Sequence, residues 1–270
     1  MSGPTLFDRA TAVTPLGPGA WAAQISSDWN APLGANGGYM AAMVLRALEA
    51  EVADPERPAR SITLHYLRPP QPGGVVIEAT VERVGRNLST LRARVVQDGR
   101  ACILALAAFA GDFTEVQRFT APMPDVAPPE AIEPWVVRPD QPSIAHRIEF
   151  RGAIGPLPFT EADVALSGGW MRMHQPQPLD APALALYADA WLPAAFTRLD
   201  ALAAAPTIDL TIHFRDPAAA LAVASGSGVL GVFRSDYASG GFVEEDGELW
   251  SPDGVLLAHC RQLALLQDLP

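Results

Sequence analysis

The feature that most constrains this chain is an internal echo. Thr63-Leu64-His65-Tyr66-Leu67-Arg68-Pro69 returns as Thr211-Ile212-His213-Phe214-Arg215-Asp216-Pro217, with the shared pattern Thr, aliphatic, His, aromatic, two residues, Pro. A repeat of this kind marks a duplicated structural unit. The flanks agree in order. A helix-like stretch precedes each copy, at 39–48 and again at 189–202. Strand-like stretches follow each, then an Asp-Gly turn (Asp98-Gly99, Asp253-Gly254) and a last apolar strand.

The strands are predicted from alternation. Val75, Ile77, Ala79 and Val81 point one way, and Glu78, Thr80 and Glu82 the other. Leu91, Ala93 and Val95 alternate with Thr90, Arg92 and Arg94. The Asp-Gly pairs suit tight hairpins because both central residues tolerate positive φ. Segments 102–109 and 255–266 are apolar on both faces, which predicts central strands covered on both sides. Each half then reads as a few leading residues, one long helix and an antiparallel meander. Such a helix and sheet bury their apolar faces against one another. Between the halves, 115–143 carries Pro122, Pro124, Pro128, Pro129, Pro134, Pro139 and Pro142. That density of proline excludes helix and central strand and predicts an extended linker over the surface. The expected division is an N-terminal unit at 1–114, the linker at 115–143 and a C-terminal unit at 144–270.

Bulk properties narrow the function classes. Of 270 residues, 49% are hydrophobic and 18% charged, and no apolar run approaches the roughly 18–20 residues of a membrane span. Residues 1–10 have neither the basic nor the apolar region of a secretory leader. Cys102 and Cys260 sit in apolar strands outside any metal spacing and read as reduced core thiols; together these point to a cytoplasmic protein. The net charge of −11 argues against nucleic acid as a partner. No Gly-x-Ser-x-Gly elbow, P-loop, dinucleotide fingerprint or metal-ligand helix occurs.

Five places carry candidate chemistry. Asp189 lies among apolar residues, Ala188 to Phe196, and Pro193 predicts that it sits near a helix N-terminus; it is a helix cap or a pocket carboxylate. Gln262 shares a strand face with Leu256, Ala258, Cys260, Ala264 and Leu266, while His259 and Arg261 face away. A buried amide there either bonds backbone or orients a water. Thr207 opens a strand and gains interest beside the other two. Asn36-Gly37-Gly38 precedes the first helix, as a turn and cap or as an oxyanion-binding helix end. Arg83, Arg86, Arg92 and Arg94, with Arg68, form the densest basic region, either a solvated strand face or a phosphate site.

With those residues in view, the chain resembles the acyl-CoA thioesterase II type of double-hotdog protein, in its divergent thioesterase-like branch. The likeness rests on Asn36-Gly37-Gly38-Tyr39-Met40, where such proteins often have His-Gly-Gly, on Leu67-Arg68-Pro69 and Val84-Gly85-Arg86, and on Tyr187-Ala188-Asp189, Thr207-Ile208-Asp209 and Leu257-Ala258-His259-Cys260-Arg261-Gln262. It covers nearly the whole chain outside the linker. It implies an α+β fold of two fused hotdogs, each with an antiparallel sheet wrapped around a helix. It implies hydrolysis of an acyl-CoA, with Asp189, Thr207 and Gln262 holding the attacking water, and Asn36, Gly37, Gly38, Arg68 and Arg86 binding substrate. No cofactor or metal is called for, and a homodimer or larger homo-oligomer is expected. Two other readings remain open at this stage: an acyl-thioester hydratase or dehydratase, and a non-catalytic acyl-CoA binding protein.

Overall fold

The computed structural model describes residues 3–268. Twelve longer strands follow the chain as β1 (Val13–Gly17), β2 (Ala20–Ile25), β3 (Ala59–Tyr66), β4 (Gly73–Val84), β5 (Leu88–Gln97), β6 (Arg100–Ala110), β7 (Ile148–Ile154), β8 (Leu166–Met173), β9 (Thr207–Phe214), β10 (Val229–Arg234), β11 (Phe242–Trp250) and β12 (Leu256–Leu265). They form one antiparallel sheet in the order β1-β2-β4-β5-β6-β3-β9-β12-β11-β10-β8-β7, and a two-residue strand, Ala238–Ser239, adds to β11. Each strand of the first half has its counterpart six places later in chain order, mirrored about the β3–β9 seam.

That seam fixes the symmetry. Thr63 pairs with Thr211, Ile62 with Ile212 and Leu64 with Leu210. The two threonine hydroxyls lie 3.0 Å apart. Equivalent residues that pair with each other place a local twofold axis between them. His65 opposite Asp209 and His213 opposite Ser61 stand at related positions, as the repeat predicted. Both strands also break register at the same place, between Ala59 and Ser61 and between Thr207 and Asp209.

Three helices matter for the site: α1 (Leu6–Thr11), α2 (Gly37–Val52) and α3 (Ala181–Tyr187). Helix α2 is buried almost all round, from Gly38 to Leu45 and at Ala47 and Leu48. Such a helix belongs to an interior rather than a surface. Each of its large side chains contributes about 1.5–3 kcal/mol through removal from water. Helix α3 packs against α2 and starts at an Asp180 cap with Pro182 in its first turn.

Several expectations are corrected. The second helix is not at 189–202. It spans only Ala181–Tyr187, because Asp180 and Pro182 start it and Pro193 halts the chain before the 3-10 turn Ala194–Arg198. Asp189 therefore follows a helix C-terminus. The hairpins β1–β2 and β7–β8 precede each helix and extend the sheet beyond the predicted meanders. Strands β6 and β12 are central but covered on one side only. Leu104 and Leu106 face outward at 43% and 54% exposure, and Arg261 is exposed. The Pro-rich segment instead covers the outer face of β8, β10 and β11, where Met123, Val126 and Ile132 pack on Trp170, Leu230 and Trp250. It also reaches inward: Trp135 stacks on Phe150 and lies 4.8 Å from Trp191, centroid to centroid. The Asp98-Gly99 hairpin has both residues at positive φ, 50° and 72°, as predicted.

Candidate active site

The N-terminus of α2 abuts the C-terminal end of α3, and Asp189 lies at that junction. Asn36 caps α2 by accepting from the Tyr39 N–H at 2.9 Å. Its amide nitrogen donates to the Asp189 carboxylate Oδ2 at 2.8 Å and to the Asp189 carbonyl at 2.7 Å. The Gly38 N–H donates to the same Oδ2 at 2.9 Å. Helix starts attract carboxylates because their first N–H groups lack partners. Contrary to the expectation from sequence, Asp189 does not start its own helix; the helix N-terminus it meets is that of α2, in the other half.

The glycine pair is required by this contact. A Cβ on Gly37 would stand 3.0 Å from Asp189 Oδ2 and 3.1 Å from the Tyr66 hydroxyl. One on Gly38 would stand 2.5 Å from the Ala185 carbonyl oxygen. Tyr66 closes the junction by donating to the Gly37 carbonyl at 2.8 Å. Asp189 is half-buried, so part of it meets solvent. Burial nevertheless pushes its pKa up to about 6, against the lowering effect of the Gly38, Gly37 and Asn36 hydrogen bonds. A carboxylate in that range is matched to proton transfer near neutrality. The helix-end donors expected to serve an oxyanion are engaged by Asp189 itself.

Gln262 lies on the inward face of β12 with Cys260 and Ala264, as the alternation predicted. Thr207 Oγ1 donates to Gln262 Oε1 at 2.8 Å. The other end of the Gln262 amide donates to Glu245 Oε1 at 3.0 Å. Glu245 was not singled out from the sequence. No direct hydrogen bond joins Asp189 to the Thr207–Gln262 pair among the described residues; they are neighbours through Cys260, whose thiol contacts the Ala188 carbonyl at 3.5 Å. Burial, then the charges of Glu245 and Asp189, push that thiol's pKa well up, so it stays protonated and inert.

The two expected phosphate-binding arginines separate. Arg68 is exposed two residues beyond Tyr66, at the Asp189 end of β3. Arg86 lies in the β4–β5 turn at the opposite end, held through its carbonyl by Arg57. Seven residue-to-residue steps, from Ala59 to Tyr66, put those ends roughly 20 Å apart. Arg92 and Arg94 pair with Glu82 and Glu78 on the outer sheet face. The basic cluster seen in the sequence is therefore not one site.

The local twofold shows that the polar site is single. By register, Gln262 opposite Leu210 corresponds to Ala107 opposite Ile62, and Glu245 opposite Gln262 to Leu91 opposite Ala107. Thr207 and Ala59 both precede the register break. The first-half counterparts are thus Ala59, Ala107 and Leu91. Among the described residues no group of three or more His, Cys, Asp or Glu could hold a metal ion, and no helix is long and apolar enough to cross a membrane.

Residues 25–110 match the family model of the acyl-CoA thioesterase N-terminal domain, and 123–266 that of the acyl-CoA thioesterase C-terminal domain. The chain belongs to the acyl-CoA thioesterase family. This thioesterase is a thioester hydrolase of fused double-hotdog architecture. A hot dog fold protein of unknown function from Alicyclobacillus acidocaldarius is 30% identical with a TM-score of 0.89, over 98% of this chain and 99% of that one. A putative thioesterase II from Thermobifida fusca is 26% identical with a TM-score of 0.84, over 98% and 99%. An acyl-CoA thioesterase II from Mycobacterium marinum, 19% identical with a TM-score of 0.77 over 97% and 98%, agrees in fold. No curated protein sequence matches the thioesterase.

Proposed function

We propose that this thioesterase hydrolyses an acyl-CoA to the free acid and coenzyme A at the α2–α3 junction, with Asp189 as general base. The observation that carries the reading is the Asp189 carboxylate itself. It is oriented by Asn36 and Gly38, is partly open to solvent, and has a pKa raised to about 6 by burial. Thr207 and Gln262, hydrogen-bonded to each other, are the second half of the water site. A water held between them and Asp189 attacks the acyl carbon while Asp189 takes its proton. The tetrahedral intermediate then collapses, the carbon–sulfur bond breaks, and the proton passes from Asp189 to the departing thiolate. Orientation and base catalysis together supply the rate.

Arg68, exposed beside this end of β3, is the residue we assign to a coenzyme A phosphate; Arg86 takes no part in that assignment. The hydratase reading loses support because both repeat histidines are exposed on the outer sheet face. The test is release of free thiol from a panel of acyl-CoA esters of graded chain length by the purified protein. Stoichiometric thiol and free acid support hydrolysis. Binding without thiol release, or conversion of an enoyl-CoA without it, would overturn it.

A further inference from the structure

We propose that Glu245 is a positioning residue of this site, fixing the amide of Gln262 with its oxygen toward Thr207 and its spare N–H toward the attacking water. The proposal rests on the reading of Gln262 given above.

Glu245 is 6% exposed on the inward face of β11, directly opposite Gln262. One carboxylate oxygen, Oε2, accepts from the Ala194 N–H at 2.6 Å. The other, Oε1, accepts from Gln262 Nε2 at 3.0 Å. No ion pair among the described residues includes it. Cys260 on β12 and Asp189 after α3 are the titratable groups facing it, and Glu244 adjoins it on its own strand. A buried carboxylate with no cation costs stability. The fold supplies its own comparison, since the twofold-related position carries Leu91 and the same sheet closes there without a carboxylate. A role in the architecture therefore accounts for the bond that Oε2 accepts from Ala194, but not for the one that Oε1 accepts from Gln262.

Hydrogen-bond polarity does. Ionised, Glu245 only accepts. The end of the Gln262 amide that meets it must then be the NH2 end, which leaves the oxygen for the Thr207 hydroxyl. Protonated, Glu245 donates through Oε1, and the amide is better satisfied turned over, with nitrogen toward Thr207. The charge on Glu245 therefore selects which face of Gln262 the water meets. Burial, as the largest influence, moves its pKa up to about 7, so the selection changes over near neutral pH.

Glu245→Gln keeps the shape and removes the charge. We expect kcat to fall about 10- to 100-fold with KM unchanged. The pH profile should lose the ionisation near 7 and keep the one from Asp189. Glu245→Leu, which installs the residue of the related position, should lose kcat similarly, with a melting temperature lowered by the unpaired Ala194 N–H. In a Gln262→Ala background neither change should lower kcat further, because residues acting as one unit are not additive. Native kcat and pH profile in both Glu245 variants, or full additivity with Gln262→Ala, overturns the proposal alone. Native turnover in Gln262→Ala overturns the water-site reading and this inference with it.

Discussion

Gly38→Ala isolates the close approach on which the site depends. The added Cβ would stand 2.5 Å from the Ala185 oxygen, 2.8 Å from the Leu186 oxygen and 3.0 Å from the Asp189 Cβ. Carbon–oxygen contacts rest near 3.3 Å, so α2 and α3 must separate by about 0.8 Å at the residue that carries the base. Forced packing of this kind costs roughly 1–3 kcal/mol. The better helix propensity of alanine offsets about 0.5–1 kcal/mol of it. A net loss of roughly 1–2 kcal/mol lowers the melting temperature by about 2–8 °C in a chain of this size. Activity is the more sensitive readout. A carboxylate displaced by nearly 1 Å loses its aim at the water, and kcat should fall about 100-fold. Thermal melting and thiol release, measured on the same preparation, check both numbers. A Gly38→Ala protein that melts higher than the parent and turns over normally would refute the argument. The glycine would then be an ordinary first-turn residue, and alanine would simply stabilise the helix.

Two further predictions follow from the same geometry. With Asp189 ionising near 6 and Glu245 near 7, both required as carboxylates, kcat/KM should climb as pH is raised through about 6 and about 7 and level off above them; a rate independent of pH from 5 to 8 would contradict a carboxylate base. Arg68→Ala should raise KM for an acyl-CoA more than for the matching acyl-pantetheine, whereas Arg86→Ala, at the far end of the strands, should leave that ratio unchanged; the reverse pattern would return the phosphate site to the β4–β5 turn.

Much of the fold was legible because its signals are local and repeated. The Thr63 and Thr211 segments share a pattern that survives duplication, and the structure lays them side by side as the sheet's seam. Gln262 was placed correctly because period-two alternation decides which strand residues face inward. The helix before Asp189 was misplaced because its apolar run continues past Tyr187 with no change in composition, and the start signal, Asp180 with Pro182, lies upstream of the stretch that drew attention. Glu245 escaped notice inside Glu244-Glu245-Asp246-Gly247-Glu248, a run that resembles a solvated strand or turn. Only the flanking Val243 and Leu249, on the same face, mark it as inward. The junction of Asp189 with Asn36 and Gly38 spans about 150 residues of sequence, and no local pattern encodes a contact at that separation. The partition of Arg68 from Arg86 likewise depends on which strand ends come together.

The most direct test of the account is kcat of Asp189→Asn at saturating acyl-CoA. Asparagine retains an oxygen to accept from Asn36 and from the Gly38 N–H, so the junction should persist and the melting temperature should stay at or above the parent's. Only the basicity is lost. The account predicts a fall of roughly two to four orders of magnitude with the fold intact. Near-native turnover in a folded Asp189→Asn protein would contradict it, and would leave Asp189 as no more than the clasp between two helices.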